Sequence, residues 1–187
     1  MSYVSYLRLG MALLWLFIGS SSQASMAQTE PSLQPHIETE LGKPRLLGQA
    51  PFRWFGLKIY DAQLWVGEQG YQPGSAPLAL NLQYARELHG GKIAESSEEQ
   101  MRKLGQGSAT ERAGWLKAMR SLFPDVQEGQ HLTGVWLPQI GVRFYLNGKA
   151  LGVINDVRFA HAFFAIWFDP ATSAPSLREA LLRNANK

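Results

Sequence analysis

The 187-residue chain has no cysteine. That absence excludes disulfides, thiolate-held zinc, iron–sulfur clusters and thiol nucleophiles together. Charge is sparse too: 18% of the residues are charged, with 18 Lys+Arg against 15 Asp+Glu. A net charge of +3 is too small an excess for the electrostatic footprint of a nucleic-acid binder. The four histidines, His36, His89, His131 and His161, are scattered, and no pair has the H-x3-H or H-E-x-x-H spacing of a zinc site. There is no G-x-S-x-G elbow, no Walker loop and no dinucleotide fingerprint. No metal and no other cofactor is therefore expected. Glu95, Glu98 and Glu99 are close in sequence, and 95 and 99 share a helix face. Carboxylates do acid–base work only when burial moves them off their ordinary pKa, and these read as a solvated face. Past the first thirty residues, no apolar run approaches the roughly 20 residues needed to cross a bilayer.

What is present points to a folded domain. Hydrophobic residues make up 45% of the chain and aromatics 11%, enough for a real core. Eighteen Gly and ten Pro without a strict period imply many turns. The N-terminus reads as an address. Arg8 supplies a positive start, residues 9–19 (LGMALLWLFIG) an apolar run, and residues 20–27 (SSSQASMA) a small, polar stretch. This is the pattern of a secretory signal peptide over residues 1–27, with cleavage expected near Ala24 or Ala27. The expected location is the periplasm of a Gram-negative cell, or outside it, with no transmembrane segment left after cleavage. Residues 28–41 read as a lead-in and residues 42–187 as one domain.

Residues 45–50 form a short strand and residues 52–66 (FRWFGLKIYDAQLWV) a long one, kinked or bulged at Gly56. Residues 78–86 alternate: Leu78, Leu80, Leu82 and Tyr84 face one way, Asn81 and Gln83 the other. The period then changes to that of helices over residues 92–104 and after the capping box Ser108–Glu111, with Pro124 as a stop. Three short strands follow at 131–137, 142–147 and 150–154, the last two joined by an Asn147-Gly148 hairpin turn. Asn155 caps a strongly apolar helix over 156–168, and a capping box at Ser176–Glu179 starts a terminal helix. Strands, two helices, strands, two helices describes an α+β fold: an antiparallel sheet with helices on one face.

Several stretches resemble the bacterial chalcone isomerase-like family. They are Gly56-Leu-Lys-Ile-Tyr60-Asp-Ala-Gln-Leu-Trp65, Ile93-Ala-Glu95-Ser-Ser-Glu98-Glu-Gln-Met101 and Gly141-Val-Arg-Phe144-Tyr-Leu-Asn147-Gly148. The most specific is Asp156-Val-Arg-Phe159-Ala-His-Ala-Phe163-Phe-Ala-Ile166-Trp167-Phe168-Asp169. The resemblance implies an open-faced β-sandwich, a large antiparallel sheet under a layer of helices with a cleft between them. Plant enzymes of this superfamily close a chalcone to a flavanone with an Arg, a Thr, a Tyr, an Asn and a Ser/Thr at the site. Set on Tyr60, the motif F-T-A-I-G-V-Y of the enzymes puts their Thr on Phe55. Their Tyr falls on Ile93, their Asn on Gln100 and their Ser/Thr on Ile166; only their Arg keeps a counterpart, Arg53.

That exchange removes donors that would stabilise a developing enolate, each worth roughly 3–4 kcal/mol of barrier. The expected function is therefore an exported, non-catalytic protein that binds a small hydrophobic ligand in the sheet–helix cleft. An Arg in an apolar site wants an anion, which suggests a fatty-acid-like ligand. Some relatives of the plant enzyme are understood to bind fatty acids through Arg and Tyr. The expected ligand-binding residues are Arg53, Phe55, Tyr60, Ile93, Gln100 and Ile166. The alternatives are an intramolecular lyase or isomerase acting on a chalcone-like substrate, and a ligand-free envelope scaffold with a protein partner.

Overall fold

A computed structural model describes residues 33–185 of the chain. The stretch read as a signal peptide lies outside the described residues. Six strands run antiparallel, side by side and in chain order: β1 (Arg45–Trp54), β2 (Leu57–Val66), β3 (Leu78–Tyr84), β4 (His131–Leu137), β5 (Gly141–Leu146) and β6 (Lys149–Ile154). Five helices accompany them: α1 (Pro35–Leu41), α2 (Gly90–Lys103), α3 (Ala109–Leu122), α4 (Val157–Phe168) and α5 (Pro175–Leu181). This is the expected α+β open sandwich. Between β3 and β4 the chain leaves the sheet, builds α2 and α3, and returns beside the strand it left.

The two faces follow from the period-two alternation of the strands. Leu78, Leu80, Leu82 and Tyr84 of β3 enter the main core with α2, α3, α4 and α5. Register carries this face across the sheet, from Leu64 through Leu80 to Gly134, Phe144 and Gly152. Above it α4 buries Phe159, Phe163, Phe164, Trp167 and Phe168. Phe163 meets Phe144 edge-on at 5.3 Å, and Phe164 stacks on Trp136 at 5.0 Å.

The opposite face carries Asn81, Thr133 and Gln63. Buried polar groups require partners, and these supply one another: Asn81 Nδ2 donates to Gln63 Oε1 at 3.0 Å, and Thr133 Oγ1 donates to Asn81 Oδ1 at 2.9 Å. Helix α1 lies over this face, burying Ile37 against Trp65, Ala79 and Val135. Glu40 of α1 accepts from Arg143 and from the Tyr145 hydroxyl. The lead-in segment thus contains a helix, which its two prolines and weak periodicity had concealed; Pro35 sits in the first turn, where its missing N–H costs nothing.

Three local expectations need correction. The long strand over 52–66 is two strands: the chain reverses at Phe55-Gly56, and Pro51 lies within β1, tolerated because β1 is an edge strand. The cap of α4 is Asp156 rather than Asn155, since the Asp156 carboxylate accepts from the backbone N–H groups of Arg158 and Phe159. No side-chain capping box opens α5; Ser176 is already inside it, and Pro175 occupies its first turn. The Ser108–Glu111 box, in contrast, is fully formed at the start of α3.

Candidate functional site

The cleft lies between the β1–β3 end of the sheet and helices α2, α4 and α5, and encloses about 440 Å³. Its floor is built from strands. Phe52 pairs with Tyr60 and Arg53 with Lys58, so Ile59 is left as an extra residue in β2. Such a bulge re-aims side chains, and here Ile59 and its neighbour Tyr60 both line the cleft. Tyr84 lies across the ladder from Tyr60, and their rings meet edge-on at 6.0 Å. Leu82 and Leu132 complete the floor, while Ile93 of α2, Phe163, Ile166 and Trp167 of α4, and Leu177 of α5 form the walls and roof.

Polar groups are placed in two ways. At the rim, α2 presents Lys92, Ser96, Glu99, Gln100 and Lys103, and Ser173 faces them from the loop after α4. Gln100 Oε1 accepts from the Ser173 hydroxyl at 2.8 Å, tying that loop to α2. Lys92 Nζ lies 2.8 Å from Glu95 and Lys103 Nζ 2.9 Å from Glu99. Deeper in, Tyr60 accepts from the Trp167 indole N–H at 3.1 Å, which leaves its own O–H to donate. Burial pushes the Tyr60 phenol far above its ordinary range, against the smaller downward pull of Trp167. Burial does the same to Tyr84, with Tyr60 adding to it. Both phenols are therefore neutral donors at neutral pH. They suit the oxygen of a carboxylate or carbonyl.

Of the expected ligand-binding residues, the structure brings Tyr60, Ile93, Gln100 and Ile166 together around this cleft. It does not bring Arg53 or Phe55 there. Arg53 is exposed beside the β1–β2 turn, where its Nη1 donates to the Gly56 carbonyl at 3.2 Å. Phe55 is 90% exposed at the turn itself. Both corrections have one cause: reversal of the chain at 55–56 carries these side chains to the tip of a hairpin and out of the cleft. The structure adds Tyr84, whose alternation with Leu78, Leu80 and Leu82 already placed it on the helix-covered face. It also adds Lys92 and Lys103, which share a helix face with Gln100. Glu95 and Glu99 lie on the solvated face expected of them, Glu95 held by Arg120 and Lys92, whereas Glu98 is half-buried in an ion pair with Arg112. Among the described residues no group of three or more His, Cys, Asp or Glu is placed to hold a metal, and no helix is long and apolar enough to cross a membrane.

Comparison with known proteins agrees with this geometry. The sequence profile of the chalcone isomerase-like family matches residues 46–183. An uncharacterized protein of Haemophilus influenzae is 30% identical over 138 residues, which is 73% of this chain and 66% of that one. The chain therefore spans just under two thirds of the length of that relative. Among solved structures, a fatty-acid binding protein of Arabidopsis thaliana superposes with a TM-score of 0.62, at 14% identity, over 76% of this chain and 88% of its own. At that identity the likeness speaks for the fold alone. The family profile, which spans residues 46–183, places the chain in the chalcone isomerase-like family.

Proposed function

We propose that this chain is an exported protein that holds a small hydrophobic ligand with an anionic head, of the fatty-acid type, and does not transform it. The observation that carries this reading is the lining of the cleft. Its volume falls within the several hundred Å³ usual for small-molecule sites, and its floor and roof are mainly aliphatic and aromatic. Catalysis of a cyclisation would require several donors converging on one developing charge. Here Ile93 and Ile166 stand in the walls, the charged side chains are confined to the rim, and the floor presents the Tyr60 and Tyr84 hydroxyls. A chain of methylenes would lie against Ile59, Leu82, Ile93, Phe163 and Ile166, each buried methylene contributing about 0.8 kcal/mol. Two polar positions suit the head: the rim, where Lys92, Lys103 and Gln100 meet water, or the floor, where Tyr60 and Tyr84 donate. Arg53, outside the cleft, has no part in it. The Arabidopsis relative is by its description a fatty-acid binder, which supports the same chemistry by analogy. Export rests on the charged start, apolar run and small residues of the first 27 positions.

Titration calorimetry with palmitate tests the reading. Binding is expected for the wild type and should weaken at least a hundredfold in Ile166→Glu, which sets a carboxylate in an apolar wall. Lack of palmitate binding together with chalcone closure faster than the uncatalysed reaction would favour an enzyme instead.

A further inference from the structure

The β1–β2 hairpin ends in Trp54-Phe55-Gly56-Leu57, and these residues are oddly chosen for a turn. Trp54 and Leu57 form the last pair of the ladder, so Phe55 and Gly56 are a two-residue loop with φ of +46° and +79°. Two positive φ values mark the tight hairpin turn for which Asn-Gly is the favoured sequence. A phenylalanine there carries backbone strain that asparagine or glycine would avoid. Nor is the ring buried in compensation: Phe55 is 90% exposed, Trp54 54% and Leu57 53%. Three of the six exposed large hydrophobics among the described residues thus fall within four positions. Trp54 and Phe55 brace each other edge-on at 5.0 Å, which holds the apolar tip as one unit.

We infer that this hairpin tip inserts into the interfacial layer of a lipid membrane and brings the cleft entrance against it. Trp54 belongs to both features: it is exposed at the tip and lines the cleft. An indole suits the boundary between headgroups and chains, and phenylalanine and leucine suit the chains below. The charge around the tip fits an anionic surface. Arg53 beside it has no carboxylate partner among the described residues, whereas Lys58, one position beyond Leu57, is paired with Asp61, and Lys92 and Lys103 at the cleft rim are paired with Glu95 and Glu99, which leaves Arg53 as the cation at the tip free to meet an anionic headgroup. The choice of a membrane as partner rests on the reading of the cleft as a lipid-type site, since such ligands are taken from and returned to bilayers.

Phe55→Asn isolates the tip. It creates the preferred turn, so the variant should fold and unfold at a higher temperature than the wild type. Phe55 does not line the cleft, so palmitate affinity should stay unchanged. Protein purified from its own cells would be floated with phosphatidylcholine vesicles with and without phosphatidylglycerol, and amide exchange followed over residues 53–58. The wild type should bind, more tightly with phosphatidylglycerol, with exchange slowed at the tip. Loss of one buried phenyl should weaken binding about tenfold or more. Arg53→Gln should lower only the part of the binding that phosphatidylglycerol adds. No protection of residues 53–58 by vesicles, or equal binding by Phe55→Asn, would overturn the inference, while calorimetry reports on the cleft separately.

Discussion

At the scale of single residues, Asp156 shows how one side chain can serve two elements. One carboxylate oxygen accepts from the backbone N–H groups of Arg158 and Phe159 at 2.8 and 3.1 Å, capping α4. The other accepts from the Trp115 indole at 2.9 Å, fastening α3 to the start of α4. Partial burial alone would raise the Asp156 pKa, but the Trp115 bond, the two backbone bonds and the Arg158 charge together hold it below the ordinary carboxylate value. The stability this provides is present above the ordinary carboxylate range and is lost as pH falls through the lowered value. Asp156→Ala removes the cap and leaves a partly buried indole N–H unpaired, at a cost of about 2 kcal/mol. Thermal unfolding at pH 7 should show a fall of roughly 4–8 °C. The deficit should narrow as the pH is lowered toward 3, because the wild-type carboxylate becomes protonated.

At the scale of elements, what could be read from the chain depended on whether the local signal was also the structural cause. Ser108 and Glu111 bond each other's backbone, so their spacing announced α3 unaided. Alternation announced β3 and the faces of the sheet because burial enforces it. The β1–β2 hairpin was illegible for the opposite reason: Phe-Gly is not a turn pair that local energetics selects. Sequence continuity from Phe52 to Val66 therefore hid a reversal, and with it the true positions of Arg53 and Phe55. The bulge at Ile59 was hidden too, since it exists only relative to β1. Helix α5 depends on a contact equally invisible in the sequence. A Cβ on Gly48 would lie 2.2 Å from the Ala180 carbonyl oxygen and 2.4 Å from that of Leu181. These are backbone atoms and cannot swing aside, so α5 can seat on β1 only because residue 48 has no side chain. Gly48→Val should push α5 off the strand, destabilise the protein by about 2–3 kcal/mol and weaken palmitate binding, because Leu177 of α5 forms part of the wall. Denaturant unfolding and calorimetry on the same variant check both effects. An unchanged midpoint would mean that α5 is not held at this contact.

At the scale of the whole molecule, the two faces of the sheet do different work. The back face carries the Gln63–Asn81–Thr133 hydrogen bonds and the short helix α1. The front face carries four helices; α5 seats on β1 at Gly48, and α4 packs on β4 and β5. Near β4 and β5 the aromatic side chains of α4 reach the strands and fill the space, as Phe159, Phe163 and Phe164 do around Phe144 and Trp136. Over β2 and β3 the roof meets the floor through the Trp167–Tyr60 hydrogen bond, and the cleft is the space left beside that contact. The layered fold and this apolar interior were legible in composition and period, and the cleft walls partly so, through Ile93 and Ile166. The central claim is that the space holds an oily molecule in the living cell. Native mass spectrometry of the protein purified from its own cells, without detergent, tests this most directly. A discrete mass above that of the chain is expected, released on denaturation as an apolar acid and absent from Ile166→Glu. A wild type with the mass of the bare chain in every preparation would contradict it.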